Sequence, residues 1–131
     1  NLTSTTWYRA KSSNSLCSVV KYSGAVRVKV RDTLFAGTMS VVDNEICYNT
    51  GATLSVSNTS GADTNYTYDW QYNEGGVGWT SFSTGITNVS SPSHQSDVDF
   101  RVITNSGCNV RDTSSEMSID VADEFVIGTR N

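Results

Sequence analysis

The sequence predicts an all-β protein, an antiparallel immunoglobulin-like β-sandwich, on three observations. The composition is rich in Ser, Thr, Val, Asn and Gly and poor in Leu, Lys and Glu, which favours short strands and tight turns over helices. Apolar and polar residues alternate with period two in several runs, as in strands with one buried face, and no run keeps a helical period. Clusters of Gly, Asn, Ser and Asp punctuate those runs at turn positions.

The first strand is expected at 6–10, with Tyr8 as its inward aromatic. Trp7 has the opposite parity and points outward, a candidate contact residue for sugar stacking or a neighbouring chain, or an incidental exposed ring. In 26–30, Val26, Val28 and Val30 take the inward face while Arg27 and Lys29 take the other. Strands follow at 34–42, 52–57 and 65–72. In the last of these Tyr66, Tyr68, Trp70 and Tyr72 share one parity and form an aromatic core stripe. Glu74-Gly75-Gly76-Val77-Gly78 turns the chain into a short strand at 79–82. The segment 83–96 reads as loop, carrying Pro92 and one short strand near 86–89. A strand at 98–104 with Phe100 inward, a turn through Asn105-Ser106-Gly107 and a final strand at 117–121 complete the set.

An internal repeat organises the chain. Tyr8-Arg9 matches Phe100-Arg101 at an offset of 92, and after a one-residue deletion Cys17, Val28 and Val30 match Cys108, Ile119 and Val121 at 91. Leu34 to Thr38 then matches Phe125 to Thr129. Residues 1–31 are therefore expected to be the C-terminal strands of a preceding immunoglobulin-like repeat, 32–122 a complete repeat, and 123–131 the start of the next.

Cys17, Cys47 and Cys108 show no Cys-x-x-Cys spacing, which argues against zinc and redox motifs. If the chain begins within a repeat, Cys17 is unpaired by truncation and Cys47 bonds to Cys108, both near one end of the domain. Such a bond would close a loop worth roughly 4 kcal/mol in the chain-entropy model and would imply an oxidising compartment. The alternative is three free cysteines in a cytosolic protein.

The succession Glu45-Ile46-Cys47-Tyr48-Asn49-Thr50, Tyr68-Asp69-Trp70-Gln71-Tyr72, Trp79-Thr80, Phe100-Arg101-Val102 and Ser106-Gly107-Cys108 resembles the Ig-like or PKD-like tandem repeats of large Bacteroidetes surface adhesins of the SprB-type gliding-motility class. Gly37-Thr38 and Gly128-Thr129 stand where those repeats carry a Gly-Thr pair. The resemblance covers nearly the whole chain. It implies a β-sandwich, type IX secretion, an extracellular place on the bacterial cell surface, and a stalk role in attachment or gliding motility. Its partners would be neighbouring repeats of the same chain and surface polysaccharide or substratum. The aromatic pair of that pattern is Trp7-Tyr8 in the first copy but Asp99-Phe100 in the second. Asp32-Thr33-Leu34 resembles the O-glycosylation motif of exported proteins of that group, which makes Thr33 a candidate modification site.

The remaining features weigh against other classes. The net charge is −4 and the nine Lys and Arg residues are scattered, so nucleic acid is not an expected partner. No apolar run is long enough for a membrane helix, and Asn1 does not open a signal sequence, so a soluble, mature or excised chain is expected. The one histidine, His94, reads as a solvated loop residue beside Asp97 and Asp99. With no nucleophile elbow, metal-spaced His pair or phosphate loop, no catalytic residues, metal ligands or cofactor are expected, and the chain is read as no enzyme. Asp97 with Asp99, or Asp120 with Asp123 and Glu124, could gather oxygen ligands for calcium, but ordinary surface acidity is the plainer reading. The alternative function is an accessory carbohydrate-binding or spacer module of a secreted enzyme, for which Trp7 and Trp79 are the only outward aromatics.

Overall fold

The computed structural model describes residues 2–107 and 109–124. These residues form strands and no helix: β1 (Thr6–Tyr8), β2 (Lys11–Asn14), β3 (Val19–Tyr22), β4 (Val26–Val28), β5 (Thr38–Val41), β6 (Glu45–Ile46), β7 (Thr53–Ser57), β8 (Tyr66–Glu74), β9 (Thr80–Thr84), β10 (Asn88–Ser90), β11 (Val98–Ser106), β12 (Arg111–Thr113) and β13 (Met117–Val121). The chain divides into two compact units, Asn1–Asp32 and Thr33–Asn131.

The second unit is a β-sandwich. One sheet has the order β6-β13-β11-β8-β9, with β12 also paired to β11, and the other has the order β10-β7-β5. Every pairing is antiparallel except β6 with β13, which is parallel. The period-two pattern explains the layering. Along β11, Val98, Phe100, Val102, Thr104 and Ser106 are buried while the residues between them are half-exposed. Across β8 the matching residues are Tyr68 and Trp70, and Trp70 has no exposed surface. From the opposing sheet Met39, Leu54, Val56 and Val89 meet them in one core with Ile119. The Trp70 indole N–H, the one polar group of that large ring, donates to the Ile86 carbonyl at 2.8 Å, so its burial leaves no donor unpaired.

The ladders also define two ends of this sandwich. Thr33 and Gly61 meet at one end, near the β11–β12 turn, where Asp63 N donates to Ser106 Oγ at 3.0 Å. Val98, Glu74 and Ile119 share the other end, next to which β6 pairs Ile46 with Val121.

The expected strands at 52–57, 65–72, 86–89, 98–104 and 117–121 correspond to β7, β8, β10, β11 and β13. β6 and β12 were not foreseen, since strands of two and three residues carry too little alternation to announce themselves and exist through their partners. β11 runs on through Asn105 and Ser106, so the turn lies two residues later, with Asn109 at a φ of 59°.

The first unit pairs β1 with β4 and β2 with β3. Its registers repeat those of the second unit. Thr6 faces Val28 and Tyr8 faces Val26, as Val98 faces Ile119 and Phe100 faces Met117. Lys11 faces Tyr22 and Ser13 faces Val20, as Ile103 faces Thr113 and Asn105 faces Arg111. The offsets of 92 and 91 read from the sequence reproduce each of these pairs. Burial differs. Tyr8, Val26 and Val28 were expected to face inward, yet they are 48%, 64% and 40% exposed, while Phe100 and Ile119 are completely buried. Alternation selected the right face, but no second layer covers it within the described part of this unit.

Candidate functional site

The sequence places its only histidine in a Ser-rich loop, and the structure corrects the expectation that it is solvated. His94 is completely buried. Its backbone pairs with Thr50, accepting from Asn49 N at 2.8 Å and donating to Thr50 O at 3.0 Å, which draws the loop between β10 and β11 under the core. The imidazole packs edge-on against Tyr72 at 4.9 Å and Phe100 at 5.5 Å between ring centres. Nδ1 lies 3.0 Å from Glu74 Oε2, and Nε2 is buried with no hydrogen-bond partner. Glu74, the last residue of β8, accepts at Oε1 from Gln95 N at 2.7 Å and Ser96 N at 3.1 Å. The Gln95 amide foremost, and then the His94 hydrogen bond, hold the Glu74 carboxyl below the ordinary glutamate range. This His–Glu pair is a clamp between a strand end and a loop. An imidazole with no accessible atom has no contact with a dissolved substrate.

The outward face of the larger sheet carries a connected polar row. Arg101 Nε donates to Gln71 Oε1 at 2.8 Å, Gln71 Nε2 donates to Asp69 Oδ2 at 3.0 Å, and Ser81 Oγ donates to the same oxygen at 3.0 Å. The register aligns them, since Gln71 lies opposite both Arg101 and Ser81. The Arg101 guanidinium sits 4.1 Å from the centre of the half-buried Trp79 ring, a cation–π contact that fixes the indole against the sheet. Period two put Gln71, Asp69 and Arg101 on the outward face, but the stacking of Trp79 on Arg101 had no signal in the sequence.

The other singled-out residues do not converge with these. Trp7 is 63% exposed, with the Arg27 guanidinium 5.9 Å from its ring. Thr33 is exposed at the first position of the second unit. Asp97 Oδ1 accepts from Val121 N at 2.8 Å and Asp99 Oδ1 from Ser118 Oγ at 2.5 Å, so each is tied to β13, and Asp120 is exposed on the outward face. Among the described residues no three His, Cys, Asp or Glu side chains gather as metal ligands.

Cys17 and Cys47 are exposed free thiols, and Cys108 lies outside the described residues. Cys47 follows Ile46, which pairs with Val121 beyond the Val98 end of β11, and the expected bond from Cys47 falls on a residue outside the described ones.

Comparison with protein-family models, curated proteins and solved structures finds no match to the chain. No helix is long and apolar enough to cross a membrane among the described residues.

Proposed function

We propose that the chain is part of the stalk of a secreted, cell-surface adhesin built from tandem immunoglobulin-like repeats, with a role in attachment or gliding motility and export by the type IX route. The observation that carries this reading is the repetition of two strand ladders, register for register, in units offset by 92 and 91 residues. A protein assembled from one repeated sandwich transmits load along its length, because each unit buries its own core and passes the chain on through a short segment. Here that segment is Val30-Arg31-Asp32-Thr33-Leu34, which has neither Gly nor Pro to add bending freedom. The clamp of Glu74 on the 94–96 loop and the Trp70 anchor add rigidity to the repeat.

A carbohydrate-binding module is the second reading, favoured by the Trp79–Arg101–Gln71–Asp69 row, whose aromatic ring and bidentate polar groups suit a sugar. Two measurements separate the readings. The first is the size and location of the native polypeptide, by immunoblot with an antibody to the 33–124 unit after shaving intact cells with protease. A very large, protease-accessible surface polypeptide is the expected result, and a short intracellular one would end the adhesin reading. The second is a glycan array probed with the protein and its Trp79→Ala variant, on which binding lost in the variant would favour the module.

A further inference from the structure

The cations of this chain are spread along the sequence but not over the molecule. Six of the nine Lys and Arg residues and one of the thirteen Asp and Glu residues fall in 1–32, a net charge of +5 against −9 for 33–131. The ladders sort them by face. Val98, Phe100 and Val102 of β11 point into the core, so the matching Thr6, Tyr8 and Ala10 define the inward side of the first unit, and Trp7, Arg9 and Lys11 the outward side. Arg27 lies opposite Trp7, Tyr22 lies opposite Lys11, and Lys29 has the parity of Arg27, so these three join the outward side. Arg9 holds its guanidinium 4.0 Å from the centre of the Tyr22 ring, and Arg27 holds its own 5.9 Å from that of Trp7. All six side chains are exposed, and among the described residues no carboxylate is paired with any of the four cations. This side is open in a filled repeat too. In the second unit, where the inward side is buried, Ser118 and Asp120 stand where Arg27 and Lys29 stand, and both are exposed. Only the first unit makes the side basic, since the second puts Asp99, Ser118 and Asp120 in place of Trp7, Arg27 and Lys29.

We propose that the outward side of the first unit binds an acidic polysaccharide, a chain of uronate sugars whose carboxylates meet Arg9, Lys11, Arg27 and Lys29 while its rings lie on Trp7 and Tyr22. The proposal rests on the adhesin reading and deepens it, naming the charge of the surface glycan and the repeat that takes it. A guanidinium stacked on an aromatic ring keeps its N–H edge free, and a carboxylate matches that edge with two parallel hydrogen bonds. The ring also holds the arginine in place before the ligand arrives, which lowers the entropy lost on binding. Alternation of ring and cation selects the class of polymer. A uronate carries an apolar ring face and a charge on the same unit, so one ring–cation pair serves both. In single-stranded nucleic acid the charge lies on the backbone and the stacking face on the base, which calls for a charged groove beside separate rings. A second copy of this chain fits less well despite its acidic second unit. The carboxylates on that unit's outward side are already engaged, Asp69 by Gln71 and Ser81, and Asp99 by Ser118.

The test uses the full 131-residue protein under reducing conditions. The probes are a galacturonate oligosaccharide and the same oligosaccharide methyl-esterified at its carboxyl groups, which keeps the rings and removes the charge. Binding is followed by titration calorimetry and by backbone amide shifts. The expected result is binding of the acid form alone, with shifts confined to the first unit and an affinity that falls as salt is raised. Arg9→Ser combined with Arg27→Ser lowers that affinity at least about tenfold, as for the loss of a charge-assisted hydrogen bond. Trp7→Ser also lowers it, while Arg111→Ser on the second unit leaves it unchanged. Circular dichroism of each variant matches the wild type, because the substituted side chains are exposed. Four outcomes overturn the proposal: no binding of the acid form, equal binding of the ester, tighter binding of a single-stranded oligonucleotide of the same charge, or self-association of the protein that the double substitution abolishes. Any of them could occur while the native polypeptide proves to be a large surface protein, so failure here is distinct from failure of the adhesin reading.

Discussion

Removing the Glu74 carboxylate should cost the second unit about 3 kcal/mol, and the structure shows where that figure arises. Glu74→Ala deprives His94 Nδ1 of its partner at a site with no exposed surface, where water cannot replace it. An unsatisfied buried group of that kind costs roughly 1–3 kcal/mol. The Gln95 and Ser96 amides are exposed and regain water, so each loses only the net value of its hydrogen bond, about 0.5–1.5 kcal/mol. For a unit of this size that sum lowers Tm by roughly 10–20 °C. Glu74→Gln keeps an acceptor for the loop amides and should lose about 1 kcal/mol. The two variants also separate charge from shape. The Glu74 carboxyl is held below its ordinary value of 4.5 by the Gln95 amide and then by His94. A depressed carboxylate adds stability that is present above the ordinary value and is lost as pH falls through the folded-state value. The wild-type protein should therefore lose more stability than Glu74→Gln as pH falls below the ordinary value of 4.5 and through the lower folded-state value of Glu74. The assay is thermal unfolding across this range, monitored by Trp fluorescence, which reports on buried Trp70. A Glu74→Ala variant within about 0.5 kcal/mol of wild type, or parallel stability–pH curves for wild type and Glu74→Gln, would refute the clamp.

Three other outcomes are expected. Trp70→Ala should destabilise the second unit by about 3–5 kcal/mol, since it empties a completely buried site and orphans the Ile86 carbonyl; chemical denaturation followed by circular dichroism reads the shift. Gly61→Ala should cost about 3 kcal/mol in the same measurement, because Gly61 has a φ of +84° and an added Cβ would fall 1.9 Å from the Thr33 carbonyl oxygen; an unchanged midpoint would contradict the close approach. Cys17 and Cys47 should react with a thiol reagent in the folded protein without reductant or denaturant, and protection of either thiol, read by peptide mapping, would contradict their exposure.

The sequence by itself determined what period two and repetition can determine. The alternating aromatics of β8 and the alternating β11 read as half-buried strands because side-chain direction is fixed by the backbone pleat, and the offsets of 92 and 91 predicted ladders that recur pair for pair. Tertiary structure decided everything that depends on what stands opposite. Alternation told that Tyr8 and Val28 share a face but not how far the described residues cover it, because a cover is contributed by residues far along the chain. His94 looked like a loop residue because its neighbours are polar, and it is buried because Thr50, Tyr72, Glu74 and Phe100 converge on it from three separate segments. The two-residue β6 exists only through Val121 and Asp120, and the end at which Cys47 sits follows from that parallel pairing. Local pattern sets direction and register; burial and proximity come from long-range pairing, which no single stretch of sequence contains.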